Sequence, residues 1–381
     1  MKLLEPYTDG GRFDVVVIGS GFGGSVSACR FAEADQSVLV LERGRPYPPG
    51  SFPRSPKDMR AAFWDPSEHL YGMFNVWHFQ DIEAVVSSGL GGGSLIYANV
   101  LLRKDDRWFT QDIPGGGGQE TWCVTYNDLD PYYGWAEDML RAQTLPFETH
   151  GYHLRKTAAL RDAAARLEKE WRLVPLAVRF HNEGRPPVPG EQLVDEPYGN
   201  IFELPRRTCR LCGECDIGCN DGSKNTLDHT YLSKAYDAGA RLSTLSEVKK
   251  LKREGDHFIV EYRVHHPPDD PDAKRPPKPK PTVCTVQAKK VVLAAGTFGS
   301  TFLLLTNAEN LDPRGGPHGR PRFSGNGDLL GFVMKSGRRL DASTGPVITS
   351  AMRLPDKSTR RTPATSAPTS RTPATRASPT G

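Results

Sequence analysis

The chain has 381 residues, of which 37% are hydrophobic and 9% aromatic, so it can bury the core of one large domain or of two smaller ones. Its formal net charge of +4 equals the balance of residues 356–381 alone, where five basic side chains face one acidic side chain. The body of the chain is therefore neutral. This excludes the basic surface that nucleic acid binding requires.

The N-terminal sequence carries no targeting pattern. MKLLEPYTDGGRFDVVVIG has no basic segment followed by an apolar run, and nowhere do about eighteen apolar residues stand together. Seven cysteines, four of them between positions 209 and 219, are not the pattern of a disulfide framework. We therefore expect a cytoplasmic protein with neither a signal peptide nor a membrane span.

The first predicted unit is a βαβ element within residues 13–44. An apolar run at 15–18 predicts a strand, a helix follows to about residue 34, and a second apolar run at 38–41 predicts another strand. The turn between the first strand and the helix has the glycine spacing G-x-G-x-x-G. This combination is typical of a site for the AMP half of NAD or FAD, and the unit alone does not distinguish the two.

Each glycine of this turn has a predicted task. Gly19 allows a tight turn, Gly21 lets the backbone approach a pyrophosphate, and Gly24 lets the helix pack closely on the strand. The helix N-terminus presents N–H groups to the anion, and Glu42 is placed to accept a hydrogen bond from a ribose hydroxyl. The candidate cofactor contacts in this unit are Gly19, Ser20, Gly21, Phe22, Gly23, Gly24 and Glu42.

A second glycine cluster, SGLGGGSLIYAN, occupies residues 88–99. Without side chains, its backbone could lie directly against a ligand. A late apolar strand from Lys290 ends in the small residues Ala295 and Gly296, which are suited to closing over a cofactor at the carboxyl edge of a sheet. A long cofactor that is contacted along its length explains both segments.

The run CRLCGECDIGC has the C-x2-C-x2-C-x3-C spacing of bacterial ferredoxins. It occurs once, and Asn220 stands where a proline usually follows, which weakens the prediction of an iron–sulfur cluster. Zinc is less favoured, because structural zinc sites usually set two short cysteine pairs well apart. The alternative is a set of reduced thiols on a glycine-rich turn. The candidate ligands are Cys209, Cys212, Cys215 and Cys219.

Two segments are not expected to pack. Residues 267–281 mix proline with charge, and residues 356–381 contain no large apolar residue. We predict that the first is a solvated loop between strands and that the second is a disordered tail.

These segments, in this order, resemble the glucose–methanol–choline (GMC) family of FAD-dependent oxidoreductases, and more closely its bacterial cholesterol-oxidase-like branch. The resemblance runs from about Phe13 to Leu354. Besides the two glycine segments, it includes DLDPYYGWAEDML at 128–140, GCNDGSKNTLDHTYL at 218–232, VVLAAGTFGS at 291–300 and FSGNGDLLG at 323–331.

The resemblance implies a mixed α/β fold, in which a Rossmann-like FAD-binding domain is assembled from separated segments and joined to an incomplete, sheet-based substrate domain. The implied FAD domain comprises residues 1–115 and 206–330, and the second of these segments includes the cysteine-rich loop. The implied substrate domain comprises residues 116–205 and 331–355. The tail follows at 356–381. The resemblance also places Gly91, Gly92, Ser94 and Asn99 beside the flavin and the Val248 backbone against the adenine.

The implied reaction is hydride transfer from the carbinol carbon of a sterol-like or other alcohol to flavin N5. A base takes the hydroxyl proton, and oxygen or another acceptor reoxidises the flavin. Two alternatives remain: a flavin and iron–sulfur electron-transfer module, and a catalytically inactive FAD-binding fragment.

The sequence identifies no catalytic residue. Family members place a catalytic histidine and its partner near the C-terminus, whereas the last histidine here is His318, which precedes the FSGNGD segment. No position matches the base of the family. We therefore expect an interruption near Asp356, with a natural disordered extension as the alternative, and impaired catalysis by this chain.

Overall fold

The computed structural model describes residues 4–56, 58–113, 116–268, 280–311, 325, 328–332 and 334–354. Three sequence predictions therefore lie wholly or partly outside the described residues: the tail at 356–381, most of the proline-rich loop at 267–281, and part of the FSGNGDLLG segment. His318 also lies outside them.

The described residues form strands and α-helices in a mixed order. The strands are β1 (Arg12–Ile18), β2 (Val38–Leu41), β3 (Trp64–Asp65), β4 (Leu70–Tyr71), β5 (Phe74–His78), β6 (Glu83–Ser87), β7 (Thr110–Asp112), β8 (Gln119–Thr121), β9 (Trp171–Leu173), β10 (Arg241–Ser243), β11 (Ser246–Glu254), β12 (His257–Val264), β13 (Thr282–Leu293) and β14 (Ser350–Met352). The helices are α1 (Phe22–Glu33), α2 (Tyr126–Met139), α3 (Arg155–Arg166), α4 (Tyr231–Asp237), α5 (Gly296–Thr306) and α6 (Ala308–Leu311).

A six-stranded sheet with the order β10-β2-β1-β13-β12-β11 organises the fold. The strands β10, β2, β1 and β13 run parallel, whereas β13, β12 and β11 pair antiparallel. Val16 lies between Leu39 on one side and Val291 on the other, so β1 is a central strand. The predicted βαβ unit and the mixed α/β fold class are confirmed.

The parallel part of the sheet is covered on both faces, which explains the uninterrupted apolar runs of β1 and β2. Val15 and Val17 belong to the core that contains α1 and α4. Their neighbours Val16 and Ile18 belong to the opposite core, built with residues of β11, β12 and β13. Because strand side chains alternate between faces, one apolar run supplies both cores.

A third core lies between residues 145 and 211. It gathers buried side chains such as Phe147, Tyr152 and Phe180, and it also takes in Cys209 and Leu211. Next to this core β14 pairs with β9, so that Ala351 stands opposite Arg172. This pairing joins the segments 116–205 and 331–355, and we propose that they form one unit. Cys209 and Leu211 lie beyond the predicted boundary at 206, so the core crosses that boundary.

No helix among the described residues has both the length and the apolar character that crossing a bilayer requires.

Candidate functional site

A cavity of about 670 Å³ opens at the carboxyl ends of β1, β2 and β13. This edge of a parallel sheet is where open α/β folds bind their ligands. The predicted site residues that line the cavity are Gly19, Ser20, Gly21, Phe22, Gly23, Glu42, Gly92, Val248, Ala295 and Gly296. Gly24, Gly91, Ser94 and Asn99 are not among the described residues that line the cavity.

The floor of the cavity is a contact between two glycine backbones. Gly92 has a φ of +54°, and a Cβ there would stand 2.6 Å from the Cα of Gly21. A side chain on Gly92 would collide with the Gly21 backbone, so only glycine at position 92 lets the two segments lie this close. Helix α1 begins at Phe22, and no side chain caps its first turn. The N–H groups of that turn therefore lie where an anion would be stabilised.

Glu42 is buried, with 5% of its surface exposed, at the end of β2. Its Oε2 accepts from the backbone N–H of Ser20 at 3.1 Å and from the Ser20 hydroxyl at 2.7 Å. Its Oε1 accepts from the Gly44 N–H at 2.8 Å. The carboxylate thus holds the glycine turn, and Oε1, which accepts only one of these bonds, keeps acceptor capacity for a further donor.

Ser20 also connects the two glycine segments. Its hydroxyl oxygen accepts from the Gly91 N–H at 3.0 Å. Behind this contact, the Ser94 hydroxyl donates to the Gly91 carbonyl at 2.7 Å and accepts from the Leu227 N–H at 3.1 Å. Gly91 and Ser94 therefore position Gly92. Their predicted direct contact with a cofactor stays a prediction.

Asn99 has a φ of +68° and is fully buried. Neither amide atom has a hydrogen-bond partner of ordinary geometry among the described residues. Burial raises the pKa of the Cys215 thiol, and the Asn99 side chain lies close enough to lower it, so the amide has a neighbour in the cysteine run. Its predicted contact with the flavin is neither supported nor excluded by its position outside the lining.

One end of the cavity carries charged side chains that the sequence did not indicate. The Arg43 guanidinium donates to Asn75 Oδ1 at 3.0 Å and lies 5.6 Å above the Trp64 ring. Burial lowers the Arg43 pKa although Glu42 and Glu247 lie close enough to raise it. Burial alone would raise the pKa of Glu247, but hydrogen bonds from His265 and Lys249 lower it to about 2.

The hairpin of β5 and β6 covers the cavity with aromatic side chains. Trp77 stacks on Phe298 with ring centroids 5.9 Å apart. Three buried polar atoms of the lining residues have no hydrogen-bond partner among the described residues: Trp77 Nε1, Ser87 Oγ and the Tyr97 hydroxyl. Protein atoms cover all three, so they pack within the wall and do not face the cavity. The sequence assigned no ligand-binding role to Trp77 or Ser87.

The four cysteines of the ferredoxin-like run line one small cavity of about 20 Å³. Within the part of the chain that the structure describes, no group of three or more His, Cys, Asp or Glu side chains is arranged to hold a metal ion. The iron–sulfur cluster therefore stays a prediction without support from the geometry.

A buried carboxyl lies behind the second glycine segment. Burial raises the pKa of Asp228 to about 6, although Thr226 and Arg206 lie close enough to lower it. The folded state therefore binds this proton more tightly than the unfolded state, and stability falls as the pH rises from about 4 to about 6.

We expect Asp228→Asn to remove this pH dependence. Between pH 4 and pH 7 the free energy of unfolding of the wild type should fall by about 3 kcal/mol relative to that of the variant. Urea unfolding of both proteins at each pH measures the difference. Parallel stability curves would show that Asp228 is not protonated in the folded chain.

The cavity has the features of a site for an extended dinucleotide. Its floor consists of two backbone segments in direct contact, since a Cβ on Gly92 would collide with the Gly21 Cα. A helix N-terminus and a buried carboxylate lie on either side of the glycine turn.

Comparison with known proteins agrees with this geometry. Residues 14–48 match the family model described as FAD binding domain, and residues 202–308 match the model described as GMC oxidoreductase. The chain is 33% identical over 295 residues to a cholesterol oxidase from Mycobacterium tuberculosis, which covers 77% of this chain and 47% of that protein.

Two further relatives are similar over shorter stretches. A cholesterol oxidase from Acinetobacter baumannii is 32% identical over 243 residues, covering 63% of this chain and 41% of that protein. A long-chain-alcohol oxidase from Arabidopsis thaliana is 25% identical over 243 residues, covering 61% and 26%.

Among solved structures, a formate oxidase from Aspergillus oryzae is 16% identical, with a TM-score of 0.43 and coverage of 79% of this chain and 48% of that one. The chain spans less than half the length of the cholesterol oxidases that it matches. Because it is one third identical to a cholesterol oxidase over most of its own length, and because two family models match it in the expected order, the chain belongs to the GMC oxidoreductase family of flavoproteins.

Proposed function

We propose that this chain binds FAD in the cavity at the carboxyl edge of the sheet and acts as an FAD-dependent oxidoreductase on CH–OH groups. The single observation that carries the proposal is the convergence at one cavity of the Gly21–Gly92 backbone contact, the uncapped start of α1 and the buried Glu42 carboxylate. These are the features that bind a pyrophosphate and a ribose.

In this proposal each part of the cofactor has its own contacts. The first turn of α1 and the Gly21–Gly92 floor bind the pyrophosphate, Glu42 accepts from a ribose hydroxyl, and the backbone at Val248 lies against the adenine. Trp77 and Phe298 cover the cavity and exclude water. When bound, FAD supplies the capacity to accept a hydride from the carbinol carbon of an alcohol.

The substrate class in this proposal is a sterol-like or other alcohol, with oxygen or another compound as the electron acceptor. The support is the relatives, two of which are named cholesterol oxidases and one a long-chain-alcohol oxidase. We assign no catalytic base, because the described residues that line the cavity include no histidine. We also propose a cytoplasmic location, which the seven free cysteines support.

Anaerobic reduction of the bound flavin by alcohols tests the proposed reaction. The chain is purified, loaded with FAD, and mixed without oxygen with a panel of sterols and of primary and secondary alcohols. Because no base is assigned and catalysis is expected to be impaired, we expect at least one alcohol to bleach the visible flavin absorbance in a single turnover, but at a rate below about 1 per second, with dithionite as the positive control. Bleaching by dithionite but by no alcohol would overturn the alcohol-oxidising role and leave FAD binding standing.

We expect Glu42→Gln to weaken FAD binding by about 1–3 kcal/mol, because the change removes a charge-assisted hydrogen bond to the ribose. The same change places an amide N–H₂ against the donors of Ser20 or Gly44, so the apo chain should lose about 1 kcal/mol of stability while remaining folded. Fluorescence titration with FAD and urea unfolding measure the two effects. Unchanged FAD affinity would remove Glu42 from the cofactor site.

A further inference from the structure

A second cavity, of about 440 Å³, lies between three segments that are distant in sequence, and we call it the groove. Its lining comes from within residues 102–108, from residues 170 and 172 at β9, and from residues 351–354 in and after β14. The pairing of β9 with β14 and a hydrogen bond from the Leu101 N–H to the Pro175 carbonyl, at 2.9 Å, hold these segments together. The volume is within the range of about 300–1,000 Å³ that is usual for small-molecule sites.

Basic side chains predominate in the lining of the groove. Two lining residues are acidic, namely Asp105 and Glu170, and five are basic, namely Arg103, Lys104, Arg107, Arg172 and Arg353. A concave surface that is lined mainly by one sign of charge focuses its field and raises the local concentration of ions of the opposite sign. The groove therefore favours an anion.

Arg103 is neutralised from within the fold. Its Nη1 lies 2.7 Å from Asp130 Oδ1, and its Nη2 lies 2.7 Å from Glu137 Oε2. Both carboxylates belong to α2, and neither lines the groove. Arg103 therefore fixes the wall of the groove and adds little net charge to it.

The other four cations differ in their partners. Arg353 and Arg107 both contact the Asp105 carboxylate, at 2.5 Å and 3.4 Å. Within the part of the chain that the structure describes, Arg172 and Lys104 form no ion pair with a carboxylate. These two cations can therefore bind an external anion without first breaking an ion pair.

The placement of the cations favours a phosphate over a single carboxylate. Lys104 lies on the first wall of the groove, Arg172 on the second and Arg353 on the third. A planar carboxylate is matched by one guanidinium fork, whereas the oxygens of a phosphate point in several directions and can accept from several cations at once. The volume leaves room for more than one phosphate group.

We propose that the groove binds a small organic phosphate with two or more negative charges, and that Arg172 and Lys104 are its principal cationic contacts. The inference does not rest on the proposed FAD function, because the groove and the cofactor cavity share no lining residue. A ligand in the groove contacts three distant segments, so it also stabilises the folded chain by mass action.

Calorimetric titration with inorganic pyrophosphate tests the site. The titration is run on the FAD-saturated chain and repeated on Gly21→Val, so that pyrophosphate in the cofactor cavity is not counted. We expect one site per chain in both proteins, with an affinity that falls as NaCl is raised from about 20 to about 200 mM. No saturable binding at pyrophosphate concentrations up to about 10 mM would overturn the proposal.

Three variants assign the binding to the groove. Arg172→Gln should weaken pyrophosphate binding about 10-fold and Lys104→Gln about 3-fold, because each removes a cation that contacts the phosphate. Glu170→Gln should strengthen binding about 3-fold, since it removes a carboxylate that repels the anion. All three side chains are exposed, so each variant should fold like the wild type.

The matched control is Lys252→Gln, which removes an exposed cation from β11, away from the groove, and should leave the affinity unchanged. Pyrophosphate binding that is insensitive to Arg172→Gln, or that is weakened by Glu170→Gln, would overturn the assignment to the groove.

Vesicle flotation separates a soluble phosphate from a lipid headgroup. We expect the chain not to float with vesicles of phosphatidylcholine that contain about 30% phosphatidylglycerol, because a membrane surface cannot enter a concave site. Flotation that Arg172→Gln abolishes, in a chain that binds no pyrophosphate, would overturn the small ligand and identify the groove as a contact with anionic lipid.

Discussion

Gly21→Val is expected to abolish FAD binding without unfolding the chain. Gly21 has a φ of −67°, which valine can adopt, so the backbone need not change. An added Cβ would lie 4.0 Å from the Gly92 Cα, an ordinary contact, but the valine methyl groups would fill the floor on which the pyrophosphate lies. We expect the dissociation constant for FAD to rise about 100-fold or more, with unchanged far-UV circular dichroism.

Two variants control this experiment. Gly21→Ala adds only the Cβ and should cause a smaller loss of affinity. Gly337→Val places the same side chain in open space away from the cavity and should bind FAD like the wild type. FAD affinity that survives Gly21→Val would refute the proposed pyrophosphate site.

Gly24→Ala, unlike Gly21→Val, is expected to lower the folding stability of the chain. A Cβ on Gly24 would stand 1.9 Å from the Gly19 carbonyl oxygen and 3.3 Å from the Ala294 Cβ. Helix α1 would have to move away from β1 and β13, opening the core that they share. We expect the free energy of unfolding to fall by about 3 kcal/mol or more, measured by urea denaturation of the apo chain.

The neighbouring glycine is the matched control for this change. A Cβ on Gly23 would meet only the Ala294 Cβ, at 3.9 Å, which is ordinary van der Waals contact. Gly23→Ala should therefore leave the apo chain about as stable as the wild type. Equal stability of Gly24→Ala and Gly23→Ala would contradict the close packing of α1 on the sheet.

The βαβ unit could be predicted because its determinants are local. Two apolar runs, a glycine turn and an acidic residue lie within residues 13–44, and each follows from strand periodicity or from backbone geometry. The structure forms β1, α1 and β2 at the predicted positions and turns Glu42 onto the glycine turn. The sequence also indicated that Gly92 would lie against the same ligand, and Gly92 does line the cavity.

Contacts between distant segments could not be predicted in this way. The bond from Gly91 to Ser20 spans 71 positions, and Arg12 of β1 pairs with Gln287 of β13 although 275 positions separate them, because tertiary packing and not local pattern decides both. Arg43 and Trp77 have no motif of their own, so nothing in their spacing marked them as cavity residues. In the cysteine run, by contrast, a local spacing predicted a metal site that the geometry of the described residues does not support.

The most direct test of the FAD site is a titration of the purified, flavin-free 381-residue chain with FAD, followed by flavin fluorescence, with NAD⁺ titrated in parallel. We predict saturable quenching at one FAD per chain, no competition by NAD⁺, and loss of saturation in Gly21→Val. A chain that never saturates with FAD, or that binds it equally well when Gly21 is valine, would contradict the assignment of this cavity to FAD.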